Sequence, residues 1–158
     1  MALKGNVSLH ERYVEAWKRI NNSIEAGFFF EAIAIEESII SNRLTSFLFG
    51  NELMTKKDVE GNPHRSFGWL ISRLRSAASD PTWEDPAALA NNLDAWRKHR
   101  NTALHALAKS FPGHPTEVPL SEFLADVEKT AKEGKELAKS VSKWQKRQHT
   151  KSKKLKKP

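Results

Sequence analysis

The sequence has no cysteine among its 158 residues. Disulfides, zinc–thiolate sites and thiol nucleophiles are therefore excluded, and a reducing compartment is expected. The six histidines form no HExxH pattern, and the seven glycines form neither a Walker motif nor a dinucleotide-binding motif. We therefore expect a protein that uses no metal ion and no cofactor.

Long hydrophobic runs are missing as well. Residues 1–7 lack the apolar segment of a signal peptide. The most apolar stretch, residues 27–40, contains three glutamates and is too short and too charged to span a bilayer. These two observations predict a cytoplasmic protein that does not associate with membranes.

Acidic residues are absent from the C-terminal end of the chain. Residues 143–158 contain eight basic residues and no acidic one, whereas residues 1–142 contain 18 basic and 19 acidic residues, a net charge of −1. The formal net charge of +7 therefore belongs to the C-terminal end and not to the rest of the chain.

The lysine- and serine-rich composition from Lys151 onward predicts disorder. We accordingly expect a helical domain over residues 1–148 and a disordered basic tail over residues 149–158. Two interpretations of the tail stay open. It is either a solubilising end or an electrostatic tether for RNA phosphates that acts through Lys151, Lys153 and Lys154.

Hydrophobic periodicity predicts an all-α protein, because no segment shows a convincing strand pattern. Ser8 and Glu11 have the spacing of a capping box, Gly27 is a helix stop signal, and Asp85 is a candidate cap. Helices joined by short loops bury their apolar stripes against each other, so we expect a bundle of about five helices. The predicted helices cover residues 8–26, 28–49, 66–78, 86–109 and 120–148. Residues 51–65 are expected to form a mobile polar insert.

Two predicted helices carry charged residues on their apolar faces. On a helical wheel with Trp96 at zero, Arg100 lies at about +40°, in the middle of the apolar stripe of its helix. A buried charge needs a partner or a route to the rim. Glu36 and Arg43 lie on or beside the apolar stripe of the second helix, so Glu36 is a candidate partner for Arg100 or for Arg43. Glu37 is about 100° away from Glu36 and is expected to face solvent.

His105 lies about 180° from Trp96, with Asn101 one turn earlier on the same face, where its amide could orient the imidazole. Arg100 and His105 are about 140° apart, so they cannot hold one phosphate from the middle of a single face. They could flank a groove or combine with the same pair of a second chain, and the geometry weakly favours a site shared across a two-fold axis. His99 either lines the edge of this site or has an ordinary structural role.

The run from Arg100 to His105 reads RNTALH. It resembles the signature of the HEPN superfamily, an arginine followed after four to six residues by a histidine, often with an asparagine directly after the arginine. The run EAIAIEESIISNRL over residues 31–44 also looks like the second helix of bacterial HEPN-like proteins. The resemblance implies an all-helical fold that covers roughly residues 8–146.

The resemblance also implies a metal-independent endoribonuclease that is active as a homodimer. Arg100, His105 and Asn101 would be its catalytic residues, and Glu36 is a looser transfer. Arg43 and His99 are further candidates for RNA binding. Many HEPN proteins act as toxins or in phage defence, some beside an antitoxin or a nucleotidyltransferase partner. Others have lost activity, so a non-catalytic RNA-binding module or dimeric adaptor is the alternative.

The chemistry fits these residue types. RNA carries its own nucleophile, the 2′-hydroxyl, and a histidine with a pKa near neutrality can transfer the protons. An arginine can hold the nonbridging oxygens and offset the developing charge. Such a reaction leaves a 2′,3′-cyclic phosphate.

Overall fold

A computed structural model describes residues 3–60, 66–106 and 118–155 of the chain. These residues form six α-helices and one short 3-10 turn, Ala77–Ser79, and within these ranges there is no strand. The predicted all-α class is therefore confirmed. The helices are α1 Leu3–Ala26, α2 Phe29–Gly50, α3 Lys56–Glu60, α4 Phe67–Ser76, α5 Pro86–Ala106 and α6 Leu120–Leu155.

Two predicted helix ends are confirmed. Gly27 has a φ of +79°, which lets the chain leave α1 in a left-handed conformation. The backbone N–H of Phe28 donates to the carbonyl of Ser23 at 2.7 Å, the bond that closes a Schellman motif. Before α5, Asp85 accepts a hydrogen bond on its Oδ1 from the backbone N–H of Ala88 at 3.1 Å, so Asp85 caps the helix.

The predicted capping box at the start of the first helix is wrong. Helix α1 begins at Leu3, so Ser8 and Glu11 lie inside the helix and form no capping box. A capping motif is needed only where the preceding residues leave the helix, and here they continue it. Residues 61–65 of the predicted polar insert lie outside the described residues. The region predicted as a polar insert contains the short helix α3, where Thr55 Oγ1 accepts from Asp58 N at 3.1 Å and Asp58 Oδ2 accepts from Thr55 N at 2.8 Å. This reciprocal pair starts α3.

The predicted disordered tail is also corrected, because α6 is helical to Leu155. Gln148 is fully buried, and its Oε1 accepts a hydrogen bond from the backbone N–H of Glu84 at 3.2 Å. This anchor holds the end of α6 against the loop before α5, and lysine is a good helix former. Residues 149–155 therefore continue the helix, and residues 156–158 lie outside the described part.

Helix α2 lies at the centre of the bundle. It packs against α1 in an antiparallel hairpin, in which Tyr13 donates to Asn42 at 2.9 Å. It runs parallel to α6, and the ring of Phe47 lies 4.6 Å from that of Trp144. Most of the residues that fill the core come from α2, α4, α5 and α6, among them Ile33, Ile40, Leu44, Phe47, Leu70, Leu74, Leu93, Val127 and Val141.

Helix α5 runs antiparallel to α6. At one end Trp144 Nε1 donates to the carbonyl of Glu84 at 2.6 Å, and in the middle Trp96 Nε1 donates to the carbonyl of Thr130 at 3.0 Å. Helix α4 covers another side of α5, where the rings of Phe67 and Trp96 meet edge to face at 5.9 Å. These contacts fix the rotation of α5 and with it the direction in which Arg100 points.

The length and hydropathy of the helices bear on membrane insertion. Over the described ranges, none combines the length and the apolar character that crossing a bilayer demands.

Candidate functional site

Arg100 lies where α2, α4 and α5 meet. Its side chain is 16% exposed, in agreement with its position on the inner face of the helical wheel. Its Nη2 forms an ion pair with Glu37 Oε1 of α2, and its Nη1 donates to the side-chain oxygen of Asn101. The guanidinium carbon lies 5.9 Å from the ring centroid of Phe67. Three neighbours therefore fix the orientation of the guanidinium.

The prediction that Glu36 pairs with Arg100 or Arg43, while Glu37 faces solvent, is wrong. Glu37 is the partner of Arg100, and its side chain is only 27% exposed. Consecutive residues on a helix point about 100° apart, so a modest rotation of α2 decides which carboxylate reaches α5. Sequence reasoning selected Glu36 and missed Glu37. The one signal that pointed to Glu37 was its position next to Glu36.

Glu36 lies inside the core, where its side chain has no exposed surface. Neither carboxylate oxygen has a hydrogen-bond partner among the described residues. Burial raises the pKa of Glu36 to about 8, against an opposing effect of the positive charge of Lys135. Glu36 is therefore predominantly a neutral carboxylic acid at pH 7 and has no route to a phosphate on the surface.

His105 lies in the last turn of α5 and is exposed. Asn101 was expected to orient His105, but its side-chain oxygen is engaged by Arg100 instead. Arg100 and His105 point in directions about 140° apart on the helix, as the wheel predicts. A single chain therefore places them in two separate environments, one at the α2–α4–α5 junction and one at the exposed end of α5.

Arg43 is half-buried in the hairpin of α1 and α2. Its guanidinium carbon lies 4.0 Å from the ring centroid of Tyr13, a cation–π contact. Its Nε is buried and has no hydrogen-bond partner within the described ranges. Burial raises the pKa of Tyr13, while Arg43 lowers it. Glu37 is the residue of α2 that contacts Arg100. Arg43 lies nearly two helical turns after Glu37 along α2, so the two arginines do not form one site.

His99 faces the groove between α5 and α6. Its Nδ1 lies 3.4 Å from Glu133 Oε2 of α6. A groove of about 230 Å³ is lined by both residues, together with Thr102 and Phe123. Neither Arg100 nor His105 lines this groove, so His99 lies beside the proposed site and does not complete it.

Lys151, Lys153 and Lys154 lie on the last turns of α6 and are exposed. Because α6 runs antiparallel to α5, its C-terminal end lies near the start of α5, whereas Arg100 and His105 lie near the end of α5. The three lysines are therefore remote from both residues.

The arrangement offers an oriented cation and an exposed proton carrier. No group of three or more histidine, aspartate or glutamate side chains within residues 3–60, 66–106 and 118–155 is placed to hold a metal ion. A guanidinium has five N–H donors, and Glu37 and Asn101 engage one Nη atom each. The Nε of Arg100 is buried and has no hydrogen-bond partner among the described residues. An anion would therefore have to reach the Nη atoms through the 16% of the side chain that is exposed.

Comparisons of the chain with family models, with curated proteins and with solved structures find no match.

Proposed function

We propose that the protein is a metal-independent endoribonuclease of the HEPN type that is active as a homodimer. The observation that carries this proposal is the orientation of Arg100 by Glu37 and Asn101, less than one and a half turns before an exposed His105. A held guanidinium reduces the entropy cost of binding a phosphate, because the side chain is already in position. The exposed imidazole can exchange protons with solvent between turnovers.

In the proposed reaction, the imidazole of one His105 accepts the proton of the RNA 2′-hydroxyl. The 2′-oxygen forms a bond to phosphorus while the bond from phosphorus to the 5′-oxygen breaks. A second, protonated His105 donates a proton to the departing 5′-oxygen. Arg100 offsets the negative charge that develops on the nonbridging oxygens. The products are a 2′,3′-cyclic phosphate and a 5′-hydroxyl, so DNA is not a substrate.

Two copies are part of this proposal for a geometric reason. Within one chain, Arg100 and His105 diverge by about 140° around α5. If two copies meet across a two-fold axis beside the exposed part of the Arg100 side chain, the His105 of one copy can approach the Arg100 of the other. A toxin–antitoxin or phage-defence role, with an antitoxin or nucleotidyltransferase partner, would suit such an enzyme.

A direct test uses single-stranded RNA in excess chelator. We expect cleavage to persist, to leave cyclic-phosphate ends, and to disappear in His105→Ala and in Arg100→Lys. Arg100→Lys keeps the charge but loses the planar, two-pronged donor set. The matched control is His10→Ala, which removes an exposed histidine of α1 and should cleave as the wild type does. Cleavage that stops in chelator, or that survives in His105→Ala, would overturn the proposal.

A second candidate function is a non-catalytic RNA-binding module or dimeric adaptor. It is favoured by the ion pair itself, because Glu37 already balances the charge of Arg100. Under this alternative Arg100 is an ion-pair residue at the junction of α2 and α5, and His105 takes no part in catalysis or in RNA binding. Binding of RNA without turnover, unchanged in His105→Ala, would favour it.

A further inference from the structure

All charged residues at the end of α6 are basic. Residues 143–155, here called the basic segment, contain six basic residues and no acidic one. Arg147 is balanced by Glu84, whose Oε2 lies 3.0 Å from its Nε. The other five basic residues are exposed, and in the described part of the chain no carboxylate oxygen lies within 4.0 Å of their ammonium groups. They are Lys143, Lys146, Lys151, Lys153 and Lys154. At longer range Lys151 lowers the pKa of Glu84 and Lys143 lowers the pKa of Glu136.

The helix gathers these five lysines on one side. At 100° per residue they fall within an arc of about 160°, over a rise of about 16 Å from Lys143 to Lys154. Trp144 and Gln148, which are buried, lie outside this arc, at about 100° and about 140° from Lys143. The anchor between Gln148 and Glu84 therefore holds the basic segment with its lysines outward.

An anionic polymer is the partner that suits such a surface. Lysines along a backbone of phosphates release condensed counterions, which gives affinity without sequence preference. A membrane surface suits it less, because lipid insertion needs a free apolar face. The apolar side of the basic segment is already occupied at Trp144, whose ring packs against that of Phe47.

We propose that the basic segment binds the phosphate backbone of RNA as a second contact, remote from Arg100 and His105; the choice of RNA rests on the function proposed above. Helix α5 has 21 residues and is about 30 Å long. The basic segment begins beside its first residues, and the RNTALH run lies at its far end. The second contact therefore acts on affinity and on strand length, and takes no part in bond cleavage.

The test compares two full-length variants of equal net charge. One carries Lys146→Gln, Lys151→Gln and Lys154→Gln in the basic segment. The control carries Lys18→Gln, Lys57→Gln and Lys132→Gln, which are exposed lysines on α1, α3 and the earlier part of α6. The probe is a single-stranded 2′-O-methyl oligonucleotide of about 20 nucleotides, which has no free 2′-hydroxyl and cannot be cut. Fluorescence anisotropy gives the dissociation constant across a range of salt concentrations, and circular dichroism checks that both variants keep their helix content.

The expected result is a weaker salt dependence of oligonucleotide binding in the basic-segment variant. Each lost phosphate contact lowers the slope of log K against log salt by about 0.7 for a single strand, so the basic-segment variant should lose about 2 in slope. Its affinity at about 0.1 M salt should fall by about tenfold to a hundredfold. The control variant should keep the slope of the wild type.

Equal slopes in the two variants would overturn the inference. So would binding of the wild type to vesicles of phosphatidylserine and phosphatidylcholine without binding to the oligonucleotide. Cleavage of the corresponding unmodified RNA is measured separately. If the RNA is cleaved and the two variants have equal slopes, the second contact is overturned and the proposed ribonuclease activity is not. If the basic-segment variant has a lower slope but the RNA is not cleaved, the second contact is supported and the ribonuclease activity is overturned.

Discussion

Gly134 of α6 lies against the carboxylate of Glu36 of α2 so closely that no side chain fits between them. A Cβ at position 134 would overlap Glu36 Oε2 and would lie 2.7 Å from Cζ2 and 2.8 Å from Nε1 of Trp96. The glycine therefore lets α2, α5 and α6 approach each other at the level of the buried acid.

Gly134→Ala should destabilise the protein. Overpacking of this kind costs about 1–3 kcal/mol, which exceeds the gain of up to about 1 kcal/mol in helix propensity. Chemical denaturation measures the free energy of unfolding. The matched control is Gly68→Ala in α4, where the nearest atoms belong to the Arg97 side chain at 3.7–3.8 Å and leave room for a methyl group. A Gly134→Ala protein as stable as Gly68→Ala would contradict the close approach.

Glu36 should make the stability fall as the pH rises. Its pKa in the folded protein is about 8, above its ordinary value of 4.5, so the folded state holds a proton that the unfolded state has lost. Between these two values the free energy of unfolding should drop by up to about 1.4 kcal/mol per pH unit, and above them the contribution should level off.

Glu36→Gln removes this titration and keeps the shape of the neutral acid. The variant should show a flatter profile of unfolding free energy between pH 5 and pH 8 than the wild type. The histidines are present in both proteins, so the difference between the two profiles isolates Glu36. Parallel profiles would show that the acid is ionised or solvated in the folded state.

Arg100 and Glu37 should be energetically coupled. A double-mutant cycle with Arg100→Ala, Glu37→Ala and the double variant should give a coupling energy of about 1–3 kcal/mol in the free energy of unfolding, because the pair is largely shielded from solvent. The control cycle uses Lys132 and Glu128, whose side chains are 60% and 42% exposed. It should give about 0.3–0.5 kcal/mol. Equal coupling in the two cycles would remove the argument that Glu37 orients the guanidinium.

Gln148→Ala should loosen the end of α6. The substitution deletes the acceptor of the Glu84 backbone N–H and the donor that reaches Glu84 Oε2 at 3.3 Å. Amide hydrogen exchange followed by mass spectrometry should show faster exchange over residues 145–155, with little change around Gly134. Thr150→Ala is the control, since its hydroxyl donates to the carbonyl of Lys146, one turn earlier in the same helix, at 3.1 Å. Equal exchange rates over residues 145–155 in the two variants would mean that the contact between Gln148 and Glu84 does not hold the end of α6.

The sequence predicts those parts of the fold that depend on neighbours in the chain. Gly27 and Asp85 end and begin helices through bonds to residues within five positions, so their types alone indicate the boundaries. The choice between Glu36 and Glu37 depends on how α2 is rotated against α5, which is a tertiary property. The continuation of α6 depends on the contact of Gln148 with Glu84, 64 positions away. The prediction of disorder for residues 149–158 used only their amino-acid composition, which contains no information about that contact.

The continuity of α6 sets a limit on how far the chain can be trimmed from its C-terminus. A chain without the last lysines of the basic segment is a natural reagent for crystallisation and for binding measurements at low salt. Trimming that ends just past Thr150 would leave Gln148, Trp144 and the buried side chains that precede them in α6 in place. Cutting further back would strip Gln148 and then Trp144 from the core, and the truncated protein would lose its fold together with its charge.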